Sequence, residues 1–89
     1  MIEKQVTIIN KLGLHARAAA KLVSTTSAFS ADIKLGKDGN MVDGKSIMSV
    51  MMLAASKGTD LMITFQGSDE EKAMEAVLSL INNKFDEGE

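Results

Sequence analysis

Ile2, Lys4, Val6 and Ile8 alternate with Glu3, Gln5, Thr7 and Ile9, the two-residue period of a β-strand. Residues 10–13 break that pattern, and residues 16–28 predict a helix. Ala16, Ala18, Ala19, Ala20 and Ala28 give it high propensity. Ala19, Leu22, Val23 and Thr26 form its inward stripe, leaving Arg17, Ala20, Ser24 and Ser27 outward. Ala31, Ile33 and Leu35 alternate as a second strand. Asp38-Gly39-Asn40 is turn chemistry, and residues 41–43 return as a short third strand, so the two make a hairpin. Gly44-Lys45-Ser46 leads into a shorter helix over residues 47–55, closed by Lys57-Gly58. Leu61, Ile63 and Phe65 alternate with Met62 and Thr64 as a fourth strand. Ser68-Asp69-Glu70-Glu71 predicts a capping box with acids at the positive end of a last helix. Ala73, Val77, Leu80 and Ile81 line that helix's buried face to about Lys84.

The predicted order is βαββαβα, a single α+β domain over residues 1–89 with its helices on one sheet face. The first two strands are joined through a helix and so run in the same direction. Inserting the fourth strand between them makes every neighbouring pair antiparallel and gives the order 1-4-2-3, an open-faced sandwich.

Composition narrows the class. Eighty-nine residues can bury a modest core without staples. The absence of cysteine excludes disulfides and thiolate metal sites, and a single histidine leaves no ligand cluster, so neither a metal nor another cofactor is expected. No apolar run reaches membrane-spanning length and residues 1–10 do not form a signal block, so a cytoplasmic protein without membrane insertion is expected. Residues 68–89 carry seven acids against two lysines, a net of −5, whereas residues 1–67 carry eight bases against five acids, a net of +3. Anionic ligands are therefore steered to the first two thirds, although a solvated acidic last helix gives the same tally. With no tyrosine, no tryptophan and no basic stripe, nucleic acid is not an expected partner.

The second helix is unusually apolar: across residues 47–55 only Ser49 is polar. Val50, Leu53 and Ala54 can serve the core. Ile47, Met48 and Met51 then face outward, where a methionine-rich patch suits adaptable protein docking rather than gap-filling between helices.

The sole histidine and the sole arginine stand two residues apart, in Lys11-Leu12-Gly13-Leu14-His15-Ala16-Arg17, at the start of the first helix. A lone histidine there could simply cap the helix. Equally, a phosphoryl group on His15 would lie among the N–H groups of Ala16 and Arg17, at the helix's positive end, with the Arg17 guanidinium adding counter-charge. A partly neutral imidazole is a ready nucleophile. Gly13 lets the loop bring the ring to the helix end.

Residues 39–46 satisfy the P-loop spacing G-x-x-x-x-G-K-[ST]. The context is wrong, because Asp38-Gly39-Asn40 is a hairpin turn and Met41 and Val42 read as strand, so no nucleotide site is assigned. Ser46 remains of interest as the N-cap of the second helix. A phosphate on it would meet the helix N-terminus and oppose docking of an acidic partner beside Ile47, Met48 and Met51.

Leu12-Gly13-Leu14-His15-Ala16-Arg17, followed some thirty positions later by Gly44-Lys45-Ser46-Ile47-Met48, resembles the HPr family of phosphocarriers of the bacterial phosphoenolpyruvate-dependent phosphotransferase system. The resemblance spans essentially the whole chain. It implies a four-stranded antiparallel sheet with three helices on one side. It also implies that His15 accepts a phosphoryl group at Nδ1 from phosphorylated enzyme I and passes it to a IIA component, in sugar-transporting systems toward the carbohydrate. Arg17 is then the phosphate partner, and Ser46 matches the serine modified by an HPr kinase/phosphorylase in some bacteria. Ala20, Ile47, Met48 and Met51 become the docking surface of a monomeric carrier that is a component with a phosphohistidine intermediate rather than a stand-alone catalyst. Many members have proline where Ala18 stands. Alanine keeps the helix and adds an N–H. That departure leaves open a nitrogen-related paralogue similar to NPr, or a regulatory binding module acting through Ser46 and the Met48/Met51 patch.

Overall fold

The computed structural model describes residues 1–87. Its elements are β1 (Ile2–Thr7), α1 (Ala16–Thr26), β2 (Asp32–Lys37), β3 (Asn40–Asp43), α2 (Ile47–Met52), β4 (Asp60–Gln66) and α3 (Glu70–Asn82), followed by a tight turn over Lys84–Asp86. The sheet order is β1-β4-β2-β3 and every pair is antiparallel. Register follows the alternation: Val6 faces Leu61, while Ile33 and Leu35 face Phe65 and Ile63. Lys4, opposite Ile63, lies on the same inward row yet is exposed, because β1 is an edge strand past which a long side chain can reach water. The hairpin turn is two residues, Asp38 and Gly39, both at positive φ, which twists as the flanking strands do.

The core packs Ile33, Leu35, Leu61, Ile63 and Phe65 of the sheet against Ala18, Ala19 and Leu22 of α1, Val50 of α2, and Ala73, Val77 and Ile81 of α3. Among the described residues, no helix is long and apolar enough to cross a membrane, and no three side chains of His, Cys, Asp or Glu cluster as metal ligands do.

Several boundaries differ from expectation. Helix α1 stops at Thr26, whose buried hydroxyl donates to the Gly44 carbonyl at 2.7 Å and leaves residues 27–31 to turn toward β2. Helix α2 ends at Met52 instead of residue 55: Ala54 takes φ +52° and is exposed, so Ala55 rather than Ala54 enters the core. Helix α3 ends at Asn82, short of Lys84, with Leu80 only partly buried.

The capping box is also not formed as expected. Asp69 stands at the N-cap of α3 without bonding its own helix. Its carboxylate accepts instead from the N–H groups of Ser30 and Ala31, both at 2.9 Å, and from the Ser30 hydroxyl at 3.3 Å, while Glu70 accepts from the Gly67 N–H at 3.1 Å. Asp69 thereby fastens the turn before β2 to the start of α3. The Ser30 N–H leads the interactions that hold its carboxyl below the usual aspartate value, against an opposing push from desolvation. A carboxyl lowered in the folded state stabilises the fold above its unfolded value, near about pH 4, and that contribution fades as pH falls through the folded value. Asp69→Asn will therefore lower the urea midpoint at pH 7, and the two proteins' midpoints will converge on acidification below about pH 4. A constant gap down to that range would show that the Asp69 charge is not the source.

Candidate functional site

Gly13 sets the approach to α1. It sits at φ +66°, and a Cβ there would fall 2.5 Å from the Ala55 carbonyl oxygen, so both conformation and space require glycine. The next residue, buried Leu14, donates its N–H to the same carbonyl at 2.8 Å, tying the loop to the segment that follows α2. His15 is then the N-cap of α1, in extended conformation, and its Nδ1 accepts from the Arg17 N–H at 3.3 Å. The first intrahelical bond runs from the Ala19 N–H to the His15 carbonyl, 2.8 Å. The N–H groups of Ala16, Arg17 and Ala18 precede it and face the cap, the arrangement that receives anions at helix starts. Ala18 is fully buried and keeps its N–H.

On the other side of the ring, Nε2 meets the carboxylate of Glu87. Sequence reading placed Glu87 in a solvated acidic segment, yet its side chain is only 12% exposed. The turn before it carries Lys84, Phe85 and Asp86, all at positive φ, and is pinned by fully buried Phe85 and by Lys21, whose ammonium donates to the Phe85 carbonyl at 2.7 Å. Buried Asn10 completes the arrangement. Its Nδ2 donates to the Gly13 carbonyl at 2.8 Å and to Glu87 Oε1 at 2.9 Å. Burial pushes the Glu87 carboxyl up, but the bonds from Asn10 and His15 and the nearby charge of Lys21 outweigh it, leaving the group below the usual glutamate range. Asn10, Lys21, Phe85 and Glu87 were not singled out from the sequence. Its only hint was the break over residues 10–13, since the contacts join positions more than sixty residues apart.

His15 and Arg17 line an open cleft of about 580 Å³ together with Lys11, Lys21, Asp86 and Glu87. The cations Lys11, Arg17 and Lys21 exceed the carboxylates of Asp86 and Glu87 by one, and the helix start adds N–H donors that favour an anion.

Ser46 caps α2, its Oγ accepting the Ser49 N–H at 3.3 Å, and is half-buried. The P-loop spacing has no P-loop here: Gly39 is in the hairpin turn, residues 40–43 are strand, and the Lys45 ammonium is spent on the Phe29 carbonyl at 2.7 Å. Ala20, Ile47, Met48 and Met51 are all exposed, Met48 at 70%. The patch is larger than expected, with Met52 at 78% and Leu12 at 67% exposure; Leu12 also borders the His15 cleft.

This frame and site define a small open-faced α+β domain with a helix-capping histidine, and comparison gives its family. The family model described as the PTS HPr component phosphorylation site matches residues 2–83. The chain is similar to the phosphocarrier protein HPr of Pseudomonas aeruginosa, 55% identical over 86 residues that cover 96% of each chain. It is similar to that of Cupriavidus necator, 52% identical over the full length of both. Among solved structures it superposes on an HPr from Thermoanaerobacter tengcongensis with a TM-score of 0.94 and 46% identity, over 98% of each chain. The chain belongs to the HPr family of phosphocarrier proteins of the phosphotransferase system.

Proposed function

We propose that this chain accepts a phosphoryl group on His15 Nδ1 from phosphorylated enzyme I and delivers it to a IIA component. The observation that carries this reading is the placement of Nδ1 against the Arg17 N–H at the open start of α1, inside a cleft lined by three cationic side chains. The nitrogen lone pair attacks phosphorus, the bond from phosphorus to the donor breaks, and its electron pair leaves with the donor. Charge on the phosphoryl oxygens is met by the helix N–H groups and Arg17. The site is open, so the phosphate is stabilised without being caged and can leave for the next acceptor. Successive partners would share one surface, the apolar side chains of Leu12, Ala20, Ile47, Met48, Met51 and Met52. In this reading the carrier works in the cytoplasm as a monomer.

Labelling with phosphoenolpyruvate and enzyme I, followed by a chase into sugar-type and nitrogen-type IIA proteins, tests the reading and separates the two pathways. Loss of label to the sugar-type acceptor assigns the carbohydrate route. Loss to the nitrogen-type acceptor alone assigns the NPr-like one, and retention with both rejects the carrier role.

Regulation at Ser46 by an HPr kinase/phosphorylase is the second element, supported by the half-buried cap beside the methionine patch. Ser46→Asp keeps a good N-cap and a favourable charge at the helix start, so the fold should hold. Its binding to enzyme I should weaken about tenfold, ~1.4 kcal/mol by titration calorimetry. An unchanged affinity would remove Ser46 from the docking surface.

A further inference from the structure

The Glu87 contact lies on the opposite side of the imidazole from the proposed phosphate, so it needs a role of its own. A carboxylate only accepts hydrogen bonds, so the hydrogen between Glu87 and Nε2 belongs to the ring. A neutral ring protonated at Nε2 has its lone pair on Nδ1, which is the nitrogen turned to the helix start. The same carboxylate is held from behind by Asn10 Nδ2, itself fixed on the Gly13 carbonyl, so the loop that aims His15 also aims its partner. Pinning by Phe85 and Lys21 delivers Glu87 to this spot against the conformational cost of three successive positive-φ residues.

We infer that Glu87, braced by Asn10, is a positioning residue for phosphoryl transfer: it commits His15 to the Nε2–H tautomer and stabilises the cationic ring formed when Nδ1 is phosphorylated. The inference rests on the reading of His15 as the phosphoryl acceptor. The bookkeeping is simple. Nδ1 supplies the electron pair for the new N–P bond, the donor leaves with the pair of the old bond, and the ring becomes positive while keeping its Nε2 proton. Glu87 sits against that proton and offsets the charge. In the onward step the cationic ring is the better leaving group, and the pair returns to Nδ1. Carboxylates that orient a working histidine through its second nitrogen play this part in hydrolases and metal sites. The remaining charged groups around the ring are Lys11, Arg17, Lys21 and Asp86. Among these Glu87 alone bonds Nε2.

The test compares full-length wild type, Glu87→Gln, Glu87→Ala and His15→Ala. Phosphorylation by enzyme I is followed by rapid quench, and the tautomer is read from long-range nitrogen–proton NMR of the imidazole. Both Glu87 variants should accept phosphate about tenfold more slowly at saturating enzyme I, with KM little changed because Glu87 is not one of the apolar docking side chains. Glu87→Ala should also show a mixture of tautomers where wild type shows only Nε2–H. Wild-type rates in both variants overturn the inference, as does, in Glu87→Ala, a slower rate with the tautomer unchanged or a changed tautomer with the rate unchanged. If His15→Ala becomes labelled as well as wild type, it is the acceptor assignment that has failed, which these arms keep distinct from failure of the Glu87 role.

Discussion

His15→Ala will eliminate the acid-labile, base-stable phosphate that enzyme I and phosphoenolpyruvate place on this protein, a loss of at least about a thousandfold, as expected when a covalent nucleophile is removed. No other side chain can stand in. The chain has no second histidine and no cysteine. The hydroxyl of Ser46 caps another helix, and a phosphate ester there would survive acid, so the two modifications separate by chemistry alone. The variant should fold normally, because a half-buried N-cap is lost at a cost of about 1 kcal/mol while the anchors on either side, Gly13 on Ala55 and the Ala18–Ala19 contact with the core, are untouched. Phosphate of the same acid-lability recovered on His15→Ala would sink the assignment outright.

Phe85→Ala is expected to be the most damaging single change to stability, about 3–5 kcal/mol by urea denaturation at pH 7. A domain of this size has a total of roughly 4–13 kcal/mol, so the loss is a large share of it. Phe85 is fully buried, though it lies outside every regular helix and strand, and its ring is what holds a left-handed turn in place. Alanine suffers the same backbone penalty without the burial that offsets it. Freed from that anchor, Glu87 should leave His15, so Phe85→Ala should also reproduce the slower phosphorylation of Glu87→Ala. A stability change under about 1 kcal/mol would mean that the core closes without this side chain.

Most of the frame could be read from periodicity. The alternation in β1, β2 and β4 and the Asp38-Gly39 turn lead directly to the observed strands, and the all-antiparallel order 1-4-2-3, one of several the pattern allows, is the one observed. The end of α2 was not legible. The left-handed residue that follows it is Ala54, where chains ordinarily signal with glycine, and Gly58 comes too late to mark the stop. Asp69 was legible as a helix-starting acid but not as a clamp on Ser30 and Ala31, since a carboxylate at an N-cap looks the same in sequence whichever N–H it takes. The unique His15 and Arg17 stood out by type and spacing. Their supports did not, because Asn10 and Glu87 are polar residues in irregular segments 77 positions apart, with no period to connect them. What makes a histidine useful here depends on its neighbours in space, and those are contributed by both ends of the described chain.

The place of β4 in the sheet has a consequence for the birth of the molecule. Strands β1 and β2 are both bonded to β4 and not to each other, yet β4 starts only at Asp60. As the chain leaves the ribosome, its first fifty-nine residues include the histidine loop, both motif-bearing helices and the hairpin, but no partner for β1. Sheet and core must wait for residues 60–66, and the site for the turn beyond α3, so β1 stays unpaired until most of the described chain has been made.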